Sequence, residues 1–230
     1  MKSALIIGAS SSIGKELTRV FLGNNFKILG TFTNSPIEIK DNLESIKLDL
    51  NCGESISEFN NHINSKKLNF DICIFLSGIL PGKNIDEYSN NEIDKVMSIN
   101  FSGFVKLYKN LKNYLIDDSQ LIIVSSISGQ RGSYDPVYAA SKGALISFMK
   151  SLSQIKPLKT RTNVVAPGLI KDSSMFYDMD SSRQKFHTNS SPTNKLTKKE
   201  DIAKIILDMT QSHWSNVNGE VIKINGGTYV

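Results

Sequence analysis

The run Ala4-Leu5-Ile6-Ile7-Gly8-Ala9-Ser10-Ser11-Ser12-Ile13-Gly14 decides the fold. Four consecutive apolar residues suit a strand covered on both faces. They pass through a turn of small residues into a helical pattern at Leu17, Val20, Phe21 and Leu22. A strand, a small-residue turn and a helix in that order make a phosphate cradle. Small side chains let the backbone approach a pyrophosphate, and the helix start offers free N–H groups and the positive end of its dipole. An ordinary tight turn has the same appearance, so the meaning of the run depends on the rest of the chain.

Further apolar runs recur with room for a helix between them: Lys27 to Gly30, Ser45 to Leu48, Ile72 to Leu76, Leu121 to Val124, Arg161 to Val165 and Val221 to Ile224. Continuous rather than alternating runs, separated by helical patterns, require right-handed crossovers. The expected fold is α/β, a doubly wound parallel sheet of about seven strands with helices on both faces. Neither a repeat nor a linker divides the 230 residues, so residues 1–230 read as one domain. One stretch breaks the rhythm. Lys171 to Lys199 is rich in Ser, Thr, Asn, Lys and Asp, and reads as a long loop with a short helix. It marks a substrate-binding loop or lid at about 169–199, with a disordered insertion as the plainer alternative. Met175, Phe176, Tyr177 and Phe186 offer apolar contact there, and Lys171, Arg183 and Lys185 suit an anion.

The formal charge is +5, from 27 basic and 22 acidic residues, and the lysines are scattered rather than ranged on one helix face. That argues against nucleic acid as a partner and suits an anionic ligand. Cys52 and Cys73 are too few for a disulfide framework and read as reduced thiols, Cys73 as core. The apolar start is too short for a signal peptide, and no run reaches the roughly 18 apolar residues of a membrane span. The expectation is a cytoplasmic protein with no membrane partner. His62, His187 and His213 show no metal-ligand spacing, and no metal is expected.

The chemistry is concentrated in Ile122-Ile123-Val124-Ser125-Ser126-Ile127-Ser128-Gly129, followed by Tyr138-Ala139-Ala140-Ser141-Lys142. Tyr and Lys four apart on a helix share a face, so an ammonium can sit near the phenol. An unperturbed tyrosine has a pKa of about 10, and ionising it near pH 7 needs roughly 4 kcal/mol of preference for the phenolate, which nearby cations can supply. Such a pair is common by chance on a solvated helix face. Here Asn100 precedes it, Ser126 ends an apolar run before it, and Ala166-Pro167-Gly168 ends the next run. Ser125 competes with Ser126 on spacing, but strand alternation puts the two on opposite sides, and the spacing to Gly129 favours Ser126.

These motifs, with the tail Asn225-Gly226-Gly227, resemble the short-chain dehydrogenase/reductase family over nearly the whole chain. The chain is similar to its compact carbonyl and 3-oxoacyl-carrier-protein reductase-like members. The resemblance implies a Rossmann fold and hydride transfer between NADP(H) or NAD(H) and a carbonyl or secondary alcohol. It makes Tyr138 the general acid/base and Ser126 the residue that orients the carbonyl. Lys142 would lower the tyrosine pKa together with the oxidised nicotinamide and hold the ribose, and Asn100 would fix a relay water. It places Gly8, Ser10, Ser11, Ser12, Ile13 and Gly14 at the phosphates, with Ser12 standing where the family has glycine. Asp49 and Leu50 fall at adenine, Ser77 and Gly78 at the next strand end after Leu76 in an asparagine position, and Pro167, Gly168 and Ile170 beneath nicotinamide. Asp172, with Ser173 beside it, takes a threonine position. At the end of the second strand, Gly30-Thr31-Phe32-Thr33-Asn34 lacks the acid that would accept a ribose hydroxyl, which favours NADP over NAD. Thr33, Asn34, Ser35 or a nearby lysine would then meet the phosphate. The implied substrate is a small carbonyl or alcohol, either carrier-linked or anionic. Relatives pair through helices like those bearing Tyr138 and following Asn100, so a homodimer or homotetramer is implied, with Val105, Leu107, Tyr108 and Leu111 either at that interface or facing the sheet. Two readings compete: a non-catalytic dinucleotide-binding regulator and a nucleotide-sugar-modifying enzyme of the same family.

Overall fold

Seven parallel strands form one sheet in the order β3-β2-β1-β4-β5-β6-β7. The computed structural model describes residues 1–157, 159–177 and 179–229, with the backbone alone at 174, 175 and 183. The first half of the chain runs β1 (Ser3–Ile7), α1 (Ser12–Gly23), β2 (Lys27–Phe32), β3 (Leu43–Lys47), α2 (Gly53–Ser65) and β4 (Phe70–Phe75). Then come α3 (Asn90–Met97), α4 (Gly103–Leu111), β5 (Leu115–Val124), α5 (Ser128–Arg131), α6 (Pro136–Leu152) and β6 (Thr160–Pro167). The chain closes with α7 (Ser174–Tyr177), α8 (Ser181–Asn189), α9 (Lys199–Asp208) and β7 (Val221–Ile224). All seven expected strands are present.

The continuous apolar runs have the predicted cause, because successive strand residues feed two separate cores. Leu5 and Ile7 point to a layer with Phe59 of α2, Phe104 of α4 and Met149 of α6. Ala4 and Ile6 point to the opposite layer, with Phe21 of α1 and Ile206 of α9. Strand order reverses between β1 and β4. In an open α/β sheet the crevice beyond that reversal is where ligands bind.

Two local expectations change. No helix joins β2 to β3. Asn34, Ser35 and Pro36 favour turns over helix, and residues 33–42 cross as a loop. Among its described residues the segment 171–199 holds two helices rather than one, because each has its own cap. The Ser173 hydroxyl accepts from Phe176 N at 3.2 Å, and Asp180 accepts from Ser182 N at 2.9 Å. Leu107 and Leu111 face the sheet and are fully buried, whereas Val105 and Tyr108 remain half-exposed. Among the described residues, no helix is long and apolar enough to cross a membrane.

Candidate active site

A cavity of about 1400 Å³ opens beyond the ends of β4, β5 and β6, lined by Gly78, Ser126, Tyr138, Lys142 and Pro167 among others. Its reactive wall begins at the helix cap of α6. Asp135 takes the cap position and accepts from Tyr138 N at 2.8 Å, with Pro136 in the first helical turn. This fixes where the helix starts and therefore which way Tyr138 and Lys142 point. The Ser126 hydroxyl accepts from Ser128 N at 3.1 Å, and Ser126 lines the cavity together with Tyr138. Ser125 is excluded from that role, because its hydroxyl donates to the Lys142 carbonyl at 2.8 Å and so fastens β5 to α6.

Lys142 is 4% exposed, with Nζ 3.3 Å from the Val124 carbonyl and 5.8 Å from the centre of the Tyr138 ring. Burial lowers its pKa to about 8. Burial also pushes the Tyr138 phenol above its ordinary range. Ser126 opposes that shift and the Asp135 charge adds to it. In the protein alone burial sets the direction at Tyr138, whereas the lowering expected of Lys142 acts together with the oxidised nicotinamide.

Asn100 sits in a π-helical turn, Ser98–Ser102, which joins α3 to α4. It is fully buried. Its Oδ1 accepts from Ile79 N at 2.8 Å, and its Nδ2 donates to the Ile79 carbonyl at 3.0 Å and to Ser141 Oγ at 2.9 Å. The side chain thus ties the exit of β4 to α6. A Cβ on Gly78 would lie 3.0 Å from Lys142 Nζ and 3.4 Å from Asn100 Oδ1, so both groups flank one point of the cavity wall.

At the other end, Gly8 adopts φ +90°, and a Cβ there would approach Ser77 Oγ to 3.0 Å. At Gly14 a Cβ would meet Ala9 Cα at 2.6 Å. Only glycine fits this cradle. Ser12 is not among the residues with positive φ and opens α1, so a side chain in place of glycine brings no backbone strain. Ser11 caps that helix by accepting from Gly14 N at 3.0 Å, while Ser10 and Ile13 are half-exposed beside it. A dinucleotide fits this end, because the cradle admits backbone approach and its turn is built from Gly8, Ala9, Ser10, Ser11 and Ser12.

The other sequence-derived positions divide. Gly168 and Ile170 line the cavity with Pro167. Leu76 lines it too, contributing apolar surface where an asparagine was expected. Asp172 turns away with φ +61°, its carboxylate accepting from the Tyr177 hydroxyl at 3.2 Å, and Ser173 lines the cavity instead. Thr33 is exposed and donates its hydroxyl to the Leu48 carbonyl at 3.1 Å. Asp49 accepts from Asn51 N at 2.8 Å in a tight turn, and the Leu50 side chain is core, with its carbonyl packed against Gly103. Of the lid residues, Tyr177 and Phe186 are 66% and 67% exposed, and Lys171 and Lys185 are exposed as well. The side chains of Met175 and Arg183 lie outside the described residues. Met179, His187 and Lys195 line the cavity instead.

Asn225 and Thr228 of the tail also line the cavity, and Thr197 Oγ1 donates to the Ile224 carbonyl at 2.6 Å, docking the return of the lid on β7. Sequence reading gave Thr197 and Thr228 no role and met Asn225 only as part of the tail motif. It missed Asp135 although an acid directly before proline at a helix start is a legible cap.

Residues 8–229 match the family described as enoyl-(acyl carrier protein) reductase. The 3-oxoacyl-(acyl-carrier-protein) reductase FabG of Buchnera aphidicola (subsp. Schizaphis graminum) is 28% identical over 239 aligned residues, covering 100% of this chain and 98% of the relative. The corresponding reductase of Rickettsia typhi is 28% identical, over 98% of this chain and 96% of its own length. Among solved structures, a short-chain glucose/ribitol dehydrogenase from Brucella melitensis superposes with a TM-score of 0.91 at 26% identity, covering 100% of this chain and 97% of that one. With its parallel seven-stranded sheet and a match along nearly its whole length, the chain belongs to the short-chain dehydrogenase/reductase family of NAD(P)-dependent oxidoreductases.

Proposed function

We propose that the protein interconverts a carbonyl compound and its secondary alcohol with NADP(H), Tyr138 moving the proton. The observation that carries this reading is the convergence of Tyr138, Ser126 and Lys142 on one cavity wall, with a glycine-walled phosphate cradle at the head of the same sheet. Gly8, Gly14 and the start of α1 would hold the pyrophosphate, Lys142 the nicotinamide ribose, and Pro167, Gly168 and Ser173 the nicotinamide face. NADP is favoured over NAD because Thr33, Asn34 and Ser35 are exposed at the end of β2 with no carboxylate among them to repel a 2′-phosphate. When bound, the dinucleotide supplies or accepts the hydride.

The residues of the chain do the rest. Ser126 donates to the substrate oxygen and aligns it with the Tyr138 hydroxyl. In reduction, Tyr138 gives its proton to that oxygen, and its raised pKa keeps the proton available until it is needed. Lys142, a cation at neutral pH, stabilises the phenolate that remains. Asn100 acts by holding Ile79 and Ser141 in place. The apolar lining of Ile79, Leu80, Met179 and Leu196, with Arg131 and Lys195 beside it, suits a carbonyl on an apolar chain that ends in an anionic carrier. Tyr108 and Phe148 meet edge to face, with ring centres 5.9 Å apart, on the half-exposed face of α4 and α6; this face is the proposed contact of a homodimer.

The test is Tyr138→Phe, assayed for cofactor oxidation across a carbonyl panel and for dinucleotide binding by calorimetry. The expected outcome is a fall in kcat of about a thousandfold or more with Kd for NADPH nearly unchanged. Intact turnover overturns the reading, and wild-type binding without turnover on any substrate points to a regulator.

A further inference from the structure

We propose that Asp135 is a positioning residue for the reaction: its buried carboxylate clamps the loop after β4 onto the start of α6 and sets the electrostatic field in which Tyr138 exchanges its proton. The proposal rests on Tyr138 being the proton donor. Asp135 is 3% exposed, and its bonds run inward. One oxygen accepts from Tyr138 N at 2.8 Å, and the other from Gly82 N at 3.0 Å and Lys83 N at 3.3 Å. The Tyr88 hydroxyl lies 2.9 and 2.8 Å from the two oxygens. A group surrounded in this way by donors acts purely as an acceptor, as a carboxylate does.

That geometry has two effects. Leu80, Pro81 and Gly82 form a wall of the cavity, so the carboxylate couples the position of the substrate wall to that of the catalytic helix. Its negative charge, bonded to the backbone of the very residue that ionises, opposes phenolate formation, in the direction of the raised phenol. The charges around the clamp are otherwise spent. Lys83 pairs with Glu92 at 2.6 Å, and the Tyr134 hydroxyl reaches Glu87 at 3.5 Å. Lys142 faces Tyr138 from the same helix, Ser126 from the end of β5, and Arg131, His187 and Lys195 stand elsewhere on the cavity wall.

An amide at position 135 keeps an oxygen for Tyr138 N but turns an NH2 group toward Gly82 and Lys83, which can only donate. The experiment compares Asp135→Asn, Asp135→Glu and Tyr88→Phe with the unaltered protein. Tyr138 ionisation is read directly by ultraviolet difference titration against Tyr138→Phe, alongside the pH profile of carbonyl reduction. In Asp135→Asn the phenol titration and the alkaline limb of kcat are expected to move down by about half to one pH unit, the size of one charge removed at this range. KM is expected to rise several-fold as the loop loses its anchor. Asp135→Glu keeps the charge, so KM rises but the titration stays near its original place. Tyr88→Phe also keeps the charge and does not move the titration downward. Equal shifts in Asp135→Asn and Asp135→Glu, or no shift in Asp135→Asn, overturn the proposal. Should Asp135→Asn fail to fold, Asp135→Ser, which keeps a capping hydroxyl without the charge, carries the same test. Turnover surviving in Tyr138→Phe defeats the reading of function instead, while the titration still reports on the clamp.

Discussion

The wall of the cavity built by β4, β5 and α6 and the wall contributed by residues 171–189 differ in how their polar groups are held. In the first, Asn100, Ser125, Asp135 and Lys142 are at least 95% buried, and their polar atoms are bonded to other elements far away in sequence. In the second, bonds such as Tyr177 to Asp172 and Ser182 to Asp180 close within five residues, and Tyr177 and Phe186 are exposed. Long-range burial fixes angles well enough for proton transfer, while a locally capped surface segment can change its contacts without disturbing the sheet. On the proposed function, the difference separates chemistry, on a floor held by long-range bonds, from substrate choice, on a rim held by local ones.

The strongest way to break that comparison is Lys142→Met. If the floor is built for chemistry at the expense of stability, removing its buried cation lowers kcat by about a hundred- to ten-thousandfold and yet stabilises the fold by about 1–3 kcal/mol at pH 7. The sign follows from its pKa of about 8 against 10.5 in the unfolded chain. Between those values the unfolded chain holds a proton that the folded protein has released, so stability rises with pH across that window and the cation is a burden below it. The raised Tyr138 works in reverse, and only above pH 10. Urea unfolding of both chains at pH 7 and 9 measures the stability gain and the Lys142 slope. A destabilised Lys142→Met chain, or a pH slope that survives in it, contradicts the account.

A smaller but still large effect is expected where the cradle meets the sheet. Gly14→Ala places a methyl group 2.6 Å from Ala9 Cα, a backbone atom that cannot swing aside. Alanine ordinarily favours a helix by about 1 kcal/mol over glycine. Here overpacking reverses the sign, with an expected net loss of about 2 kcal/mol by thermal unfolding and at least tenfold weaker dinucleotide binding. Unchanged binding would show that the cradle has more room than its contacts indicate.

The contrast between floor and rim also explains what was legible in the sequence. All seven strands were readable because burial on both faces leaves unbroken apolar runs such as Leu121 to Val124. Tyr138, Lys142, Ser126 and Asn100 stood out through the family resemblance that their motifs carry, and the fold brings Tyr138, Lys142 and Ser126 to one cavity. Asp135 was not singled out, since its partners Gly82, Lys83 and Tyr88 lie about fifty positions away and only folding brings them together. The link between β2 and β3 was misread because strand spacing alone does not distinguish a helix from a ten-residue loop. On the rim, composition identified a binding segment but not its inward face. Tyr177 and Phe186 looked like contacts and face solvent, whereas Met179 and His187 line the cavity. Which way a residue faces in a short, weakly amphipathic helix is decided by tertiary docking, and one-dimensional pattern carries little of it.

The finest distinction is therefore between two residues of that one segment. Phe186 is 67% exposed, so Phe186→Ser removes little buried surface and is expected to change unfolding free energy by less than about 0.5 kcal/mol and KM by less than about twofold. Met179 borders the cavity, so Met179→Ala takes apolar surface from the substrate's side. Partial loss of such a contact costs on the order of 1 kcal/mol, a several-fold rise in KM for carbonyls on apolar chains with kcat held. Steady-state kinetics on a series of increasing chain length reads the two variants side by side. If Phe186→Ser raises KM more than Met179→Ala does, and increasingly so with chain length, then residues 181–189 fold over the substrate during turnover and the rim is a closing lid. The order expected from the structure leaves it as a fixed edge that selects through its inner residues.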